Sequence, residues 1–218
     1  MPKSTVQRCL LTLQYVGWLR MVDAERAKWG VTTKPLGIGL RAAGEDGLRE
    51  AAQPYLDELR DATNETIHLA VRDGNSLLIL ARRDSAQAVR TYVEVGTKAP
   101  LHATACGMAI MAKISPEEVD RIVDSGLEQY TESTMITRSR LLAEVDHTRE
   151  LGFSVNRDSW WRPDVSAVGA AITNSAGRPI AALAISIPAS RFDPEKIPFY
   201  GSCALDATAK ISKALDQY

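Results

Sequence analysis

At 218 residues with a formal net charge of −1, the chain is long enough for one large or two small domains with a real core. It is too neutral for a uniformly basic nucleic-acid coat, although a local basic element is compatible with it. A composition of 45% hydrophobic and 24% charged residues is that of an ordinary soluble protein.

No apolar run approaches the roughly 18 residues of a membrane helix, and no secretory signal pattern opens the chain. The three cysteines, Cys9, Cys106 and Cys203, are odd in number, far apart and outside any CxxC spacing. This argues against a disulfide framework or a zinc knuckle and fits a reducing cytoplasm. Cys9 and Cys203 are expected as core residues on apolar helix faces.

In chain order, residues 2–16 (PKSTVQRCLLTLQYV) read as a helix, with Pro2 at a first helical position and Gly17 as its stop. Val6, Cys9, Leu10, Leu13 and Val16 form one apolar stripe. Lys3, Ser4, Thr5, Gln7 and Arg8 gather at its N-terminal end. These residue types contact phosphates and base edges when a helix enters the DNA major groove, and they equally suit a solvated face. Two short β-like segments, Trp18–Val22 and Lys28–Thr32, flank a polar turn. A basic-tipped helix followed at once by a hairpin matches the second half of a winged helix-turn-helix, whose two preceding helices do not occur before it. Arg20, Arg26 and Lys28 are the backbone-contact candidates of that wing.

Residues 33–47, with four glycines and a proline, read as a hinge. A helix is expected over Glu45–Ala62, kinked or divided at Pro54. Three antiparallel strands follow at Thr66–Arg72, Ser76–Arg82 and Val89–Val95, the first two joined by a tight turn at Asp73-Gly74-Asn75. Ser115-Pro116-Glu117-Glu118 is a capping box with Pro at the first helical position, and Ser139 is expected to cap a helix running to Leu151. Strands at 153–156, 165–173 and 180–188 precede a closing helix over Pro194–Asp216. The order is that of an α+β sensor-type domain, a sheet with helices packed around it.

Between the two groups of strands lies KAPLHATACGMAIMA (98–112), a Pro-marked loop leading through small residues into an apolar helix. Small side chains at a helix start leave backbone N–H groups uncovered and suit a small anion. They equally allow a helix to pack closely on a sheet.

Taken together, PKSTVQRCLLTL (2–13), PLHATACGMAIMA (100–112), GFSVNRD (152–158) and VSAVGAAITNSAGRPIAALAISIPASRF (165–192) give the chain a resemblance to the IclR family of bacterial transcriptional regulators over essentially its whole length. The resemblance implies a DNA-binding head at 1–34 made of the recognition helix and wing of a winged helix-turn-helix. It also implies a linker at 35–47 and an effector-binding α/β domain at 48–218, with a curved antiparallel sheet flanked by helices. It places the effector pocket on one face of the sheet, closed by His102–Gly107. Ala105 and Cys106 would give the backbone contact to an anion, with His102, Thr104 and Gly107 in the same loop, and Asn156, Ala167, Ser186 and Ser190 on the strands. The sequence departs from the family where Met108 replaces a usual Lys, where Ala171 replaces a frequent Pro, and where Trp160 and Trp161 stand in place of acidic residues.

Two adjacent tryptophans in an extended loop cannot face the same way, so one is expected over the pocket and the other against a partner. Arg157 and Arg162 beside them could pair with an effector carboxylate. His102 and Cys106, four residues apart, could form a nucleophile pair, but this would need an orienting group and an oxyanion site. His68, His102 and His147 show no metal-ligand spacing. No enzyme activity, cofactor or metal is therefore expected. The expectation is a cytoplasmic, homo-oligomeric (dimer or tetramer) repressor that binds operator DNA. It would sense a small carboxylate and control catabolic genes. The alternative is a sensor module that no longer binds DNA because its head is truncated.

Overall fold

A computed structural model describes residues 2–35, 38 and 47–215 of the chain. It separates into two compact units, Met1–Glu45 and Asp46–Tyr218. Among the described residues no helix is long and apolar enough to cross a membrane.

The first unit holds helix α1 (Lys3–Tyr15) and an antiparallel pair, β1 (Leu19–Asp23) and β2 (Lys28–Val31). Pro2 lies just outside the helix, as its N-cap, and its carbonyl accepts the Thr5 and Val6 N–H groups. Gly17 stops the helix at φ +76°, a left-handed conformation that costs glycine little. Lys34 Nζ then donates to the Val16 carbonyl at 2.6 Å, a cation at the negative end of the helix. The apolar stripe does not make a core. No residue of α1 is buried and Cys9 is exposed, with Leu10 alone of the stripe half-buried. The hinge expected over 33–47 falls mostly outside the described residues, as do Glu45 and Asp216, the expected ends of two helices.

The second unit is built on a six-stranded antiparallel sheet ordered β5-β4-β3-β8-β7-β6. The strands are β3 (Thr66–Asp73), β4 (Ser76–Arg83), β5 (Lys98–Pro100), β6 (Ser154–Asn156), β7 (Val165–Thr173) and β8 (Pro179–Pro188). Around the sheet lie α2 (Leu48–Thr63), α3 (Ala105–Met111), α4 (Pro116–Asp124), α5 (Arg138–Leu151) and α6 (Ile197–Leu215).

Both faces of the sheet are buried, so its strands read as nearly continuous apolar runs. The two faces differ in side-chain size. One row across it is Val155, Val168, Ile185 and Ile67, and the next row on that face is Ala170, Leu183, Leu69 and Ala81. Leu56, Leu59, Ala204, Ala207 and Ile211 are among the buried residues of α2 and α6, the pair that packs with this part of the fold. On the other face the rows are Ser154, Gly169, Ala184 and His68, and Asn156, Ala167, Ser186 and Thr66. Small side chains here let α3 sit close and leave space beside it.

The structure corrects several expected elements. Val89–Val95 is not a strand; the pairing with β4 is made by the three residues of β5. Side chains tether the 89–95 segment instead. The Thr66 hydroxyl donates to the Thr91 carbonyl, and the Thr91 hydroxyl donates to the Ser186 carbonyl. Pro54 neither divides nor ends its helix, which runs unbroken from Leu48 to Thr63. Thr137, not Ser139, precedes α5, and it makes no side-chain cap bond. Only half of the capping box forms. Ser115 Oγ accepts the Glu118 N–H, whereas the Glu118 carboxylate is taken by Arg72 on β3. The closing helix starts at Ile197, after a separate 3₁₀ turn over Pro194–Lys196.

Candidate functional site

A cavity of about 70 Å³ lies between α3, the small-residue face of the sheet and the loop after β6. That is room for about five water-sized groups, the scale of a small metabolite. Two glycines create this geometry. A Cβ on Gly169 would stand 2.7 Å from the Ala105 carbonyl carbon, and one on Gly107 would stand 1.8 Å from the Leu101 carbonyl oxygen. With both absent, α3 rests on β7, held by the Ser154 hydroxyl donating to the Ala105 carbonyl at 2.6 Å. Thr104 caps α3. Its Oγ1 accepts the Gly107 N–H at 3.1 Å and donates to the Pro100 carbonyl at 3.0 Å. The Ala105 and Cys106 N–H groups lie in the same first turn, where no intrahelical partner exists.

Seven of the eleven expected effector residues line this cavity: Thr104, Ala105, Cys106, Asn156, Trp161, Ala167 and Ser186. Four do not. His102 turns away from it, and its Nε2 lies 2.9 Å from the Glu128 carbonyl in a separate pocket. Gly107 is spent on the close approach to Leu101. Trp160 is buried in the core, and its carbonyl accepts the Thr134 hydroxyl at 2.6 Å. Ser190 lines an outer groove with Arg90, Pro163 and Pro188. The tryptophans do point apart, but it is Trp160 that leaves the cavity, and it meets core rather than a partner. The structure brings in residues the sequence did not mark, above all His68, Thr91 and Tyr92, with Leu77, Ile79 and Val93 forming the apolar side.

The polar end of the cavity is electropositive. Arg162 lies in its wall, the guanidinium 4.5 Å over the Trp161 ring, and none of the lining residues is Asp or Glu. Asn156 Oδ1 accepts the Asp158 and Trp160 N–H groups, which pins the loop and leaves the donor side of the amide free. Ser159 and Asp164 in that loop have φ of 55° and 58°, unusual for residues with a Cβ. His68 Nδ1 lies 2.9 Å from Ser186 Oγ. Burial and the neighbouring Arg82 lower its pKa to about 4, so the ring is neutral at pH 7.

Burial also raises the Cys106 thiol to about 12. It is no thiolate nucleophile, and with His102 facing elsewhere the His102–Cys106 pair does not form. Met108, where a Lys is usual, is fully buried.

On α1, Lys3, Ser4, Gln7 and Arg8 share one face at helical spacing and are all exposed, while Thr5 is half-buried. Arg20 and Lys28 are exposed on the hairpin. The first 34 residues carry Lys3, Arg8, Arg20, Arg26, Lys28 and Lys34 against Asp23 and Glu25 alone.

A sheet with one face hollowed against a short helix leaves room for a small ligand, and comparison with known proteins gives the family. The family model described as "Bacterial transcriptional regulator IclR C-terminal" matches residues 41–213. The chain belongs to the IclR family of bacterial transcriptional regulators, which are not enzymes. It is 27% identical over 216 residues to the HTH-type transcriptional repressor AllR of Escherichia coli (strain K12), covering 99% of this chain and 79% of that protein. Among solved structures, the Thermotoga maritima IclR superposes with a TM-score of 0.80 at 24% identity, covering 99% of this chain and 86% of that one. An IclR homolog of Microbacterium hydrocarbonoxydans, complexed with 4-hydroxybenzoate, superposes with a TM-score of 0.84 at 22% identity over 100% and 88%. At these identities the two structures speak for the shared fold, an antiparallel sheet flanked by helices.

Proposed function

We propose that the chain is a repressor whose operator affinity is set by a small organic acid bound in the cavity beside α3. The observation that carries this is the cavity itself, small, apolar on one side, and lined at the other by Arg162, Asn156 and Ser186 with no acidic residue. Thr104, Ala105, Cys106, Trp161 and Ala167 complete the wall. The 4-hydroxybenzoate complex of the Microbacterium relative supports an organic acid as the class of effector.

Residues 1–34 are the DNA-reading head, 35–47 the linker and 48–218 the effector domain. Lys3, Ser4, Thr5, Gln7 and Arg8 read the operator, while Arg20 and Lys28 contact its backbone. The AllR match extends over 99% of the chain and so takes in α1 and the hairpin, which favours a DNA-binding protein over a sensor without a head. The protein acts in the cytoplasm as a homodimer or tetramer, and its targets are catabolic genes. Effector binding changes the spacing of paired heads, a coupling between two sites.

A thermal-shift panel of acetate, butyrate, pyruvate, succinate, benzoate and 4-hydroxybenzoate tests the sensor. At least one acid should raise the melting temperature with mass-action dependence on concentration, and no shift with any of them removes the organic-acid reading. Footprinting on the protein's own promoter region tests the head. Protection should weaken with salt and vanish in Arg8→Ala, and an unchanged footprint in that variant would remove the assignment of α1.

A further inference from the structure

The cavity beside α3 has a larger neighbour. A second pocket of about 280 Å³ lies between the start of β4, β5, the loop after α4 and the loop after β6. The two spaces have Ala99 and Trp161 in common and no other lining residue, so these two side chains form the wall between them.

The two differ in freedom. Ala99 is 3% exposed and lies in β5, paired in register with Leu77 of β4, so its methyl group is fixed by the sheet. Trp161 belongs to the loop after β6, whose backbone is anchored on both sides of it. The Trp160 N–H donates to Asn156 Oδ1, the Trp160 carbonyl accepts the Thr134 hydroxyl, and the Asp164 carbonyl accepts the Ala189 N–H. The indole itself is only partly buried. It is held by packing against the core and by the Arg162 guanidinium, 4.5 Å over its ring. A change at this side chain therefore alters the wall without untying the loop.

We infer that Trp161 sets the upper length of the effector: its indole is the partition that confines the ligand to the smaller space. This rests on the organic-acid reading above and names which acids the site accepts. Thr104, Asn156 and Arg162 offer polar contacts for the acid group, while Leu77, Ile79 and Val93 wall the space for its body. Room for about five water-sized groups is filled by a short acid. Each further CH₂ needs space, and close-packed walls do not yield it. On the flank toward the outer groove the wall includes Thr91 and Tyr92. Thr91 is tied by hydrogen bonds with Thr66 and Ser186, and Arg82 lies 3.9 Å over the Tyr92 ring. Behind the indole, by contrast, the second pocket offers Pro100, Ile122 and Tyr130, apolar surface on which a longer chain would go on burying CH₂ groups.

Isothermal titration of the full chain with straight-chain carboxylates from acetate to decanoate tests this. Wild-type affinity should climb about fourfold per CH₂, the worth of a buried methylene, and fall for acids longer than hexanoate. In Trp161→Ala the climb should continue through octanoate to decanoate. Decanoate should then bind this variant roughly a hundredfold tighter than wild type, four methylenes at that rate less the lost indole contact, at one site per chain from which butyrate displaces it. Trp161→Phe, with a smaller ring in the same place, should move the limit only part of the way. A wild type whose affinity still rises to decanoate at the butyrate site overturns the Trp161 inference, whichever variants fold. So does a Trp161→Ala protein, folded by far-UV circular dichroism, that keeps the wild-type length limit. Both results leave the organic-acid reading intact. Failure of every acid to bind either protein overturns both.

Discussion

Replacing Gly169 with Ala tests whether the seat of α3 on the sheet is as tight as the structure makes it. The new methyl would lie 2.7 Å from the Ala105 carbonyl carbon, 2.8 Å from its oxygen and 3.0 Å from Ser154 Oγ. The first two are backbone atoms at the start of a buried helix, so relief requires α3 to lift rather than a side chain to swing. Overpacking of this kind costs about 1–3 kcal/mol. Lifting α3 also stretches the 2.6 Å bond from Ser154 Oγ to the Ala105 carbonyl, worth a further ~1 kcal/mol. A total loss of about 2–4 kcal/mol should lower the melting temperature of the sensor unit by roughly 5–15 °C for a domain of this size. Urea denaturation followed by tryptophan fluorescence and far-UV circular dichroism reads it out. Gly177→Ala is the control, since nothing lies within 4 Å of its Cβ position and only its φ of +74° is affected, at about 1 kcal/mol. If Gly169→Ala denatures at the wild-type midpoint, the close approach of α3 to β7 is not what holds the cavity wall.

Two further outcomes follow from buried charge. His68 titrates at about 4 in the fold against an unfolded value near 6.5, so above 6.5 both states are neutral and it has no effect on stability. As pH falls from 6.5 to 4 the unfolded chain gains a proton that the folded ring refuses. This removes about 3 kcal/mol in all, and pH-dependent urea midpoints of wild type against His68→Gln should show that difference growing through this window. Glu65, 3% exposed, takes two bonds from Arg191, at 2.7 and 2.8 Å. Arg191→Met strands that carboxylate and should cost about 3–5 kcal/mol by chemical denaturation, whereas a loss under 1 kcal/mol would mean water reaches Glu65 and the pair is not structural.

Much of the architecture was legible in the chain because its causes are local. The 3.6-residue apolar period gave α2 and α6, and the Asp73–Asn75 turn set the hairpin of β3 and β4. Gly152 closed α5 where expected, at φ +81°. The misread elements were those where a distant group decided the outcome. The 89–95 segment has strand-like residues, yet its hydrogen bonds go to Thr66 and Ser186, so it never enters the ladder. The stripe on α1 has core composition, but composition cannot supply a covering layer.

The same division holds within the site. Small residues from Ala103 to Gly107 were visible as a pattern that suits a helix seated on a sheet as well as an anion site. The pattern could not say that Gly107 serves the close approach to Leu101 while Ala105 faces the cavity, because only about half a helical turn separates the two roles. Nor could it single out His68, an ordinary residue of an alternating strand. Its chemistry comes from burial and from Ser186, 118 residues further along the chain. Sequence by itself determined that there is a sheet with helices packed around it, since apolar period and turn residues are properties of the chain. Only the tertiary structure decided which polar atoms in the resulting hollow are left unpaired, because hydrogen-bond satisfaction depends on what the fold brings within 3 Å.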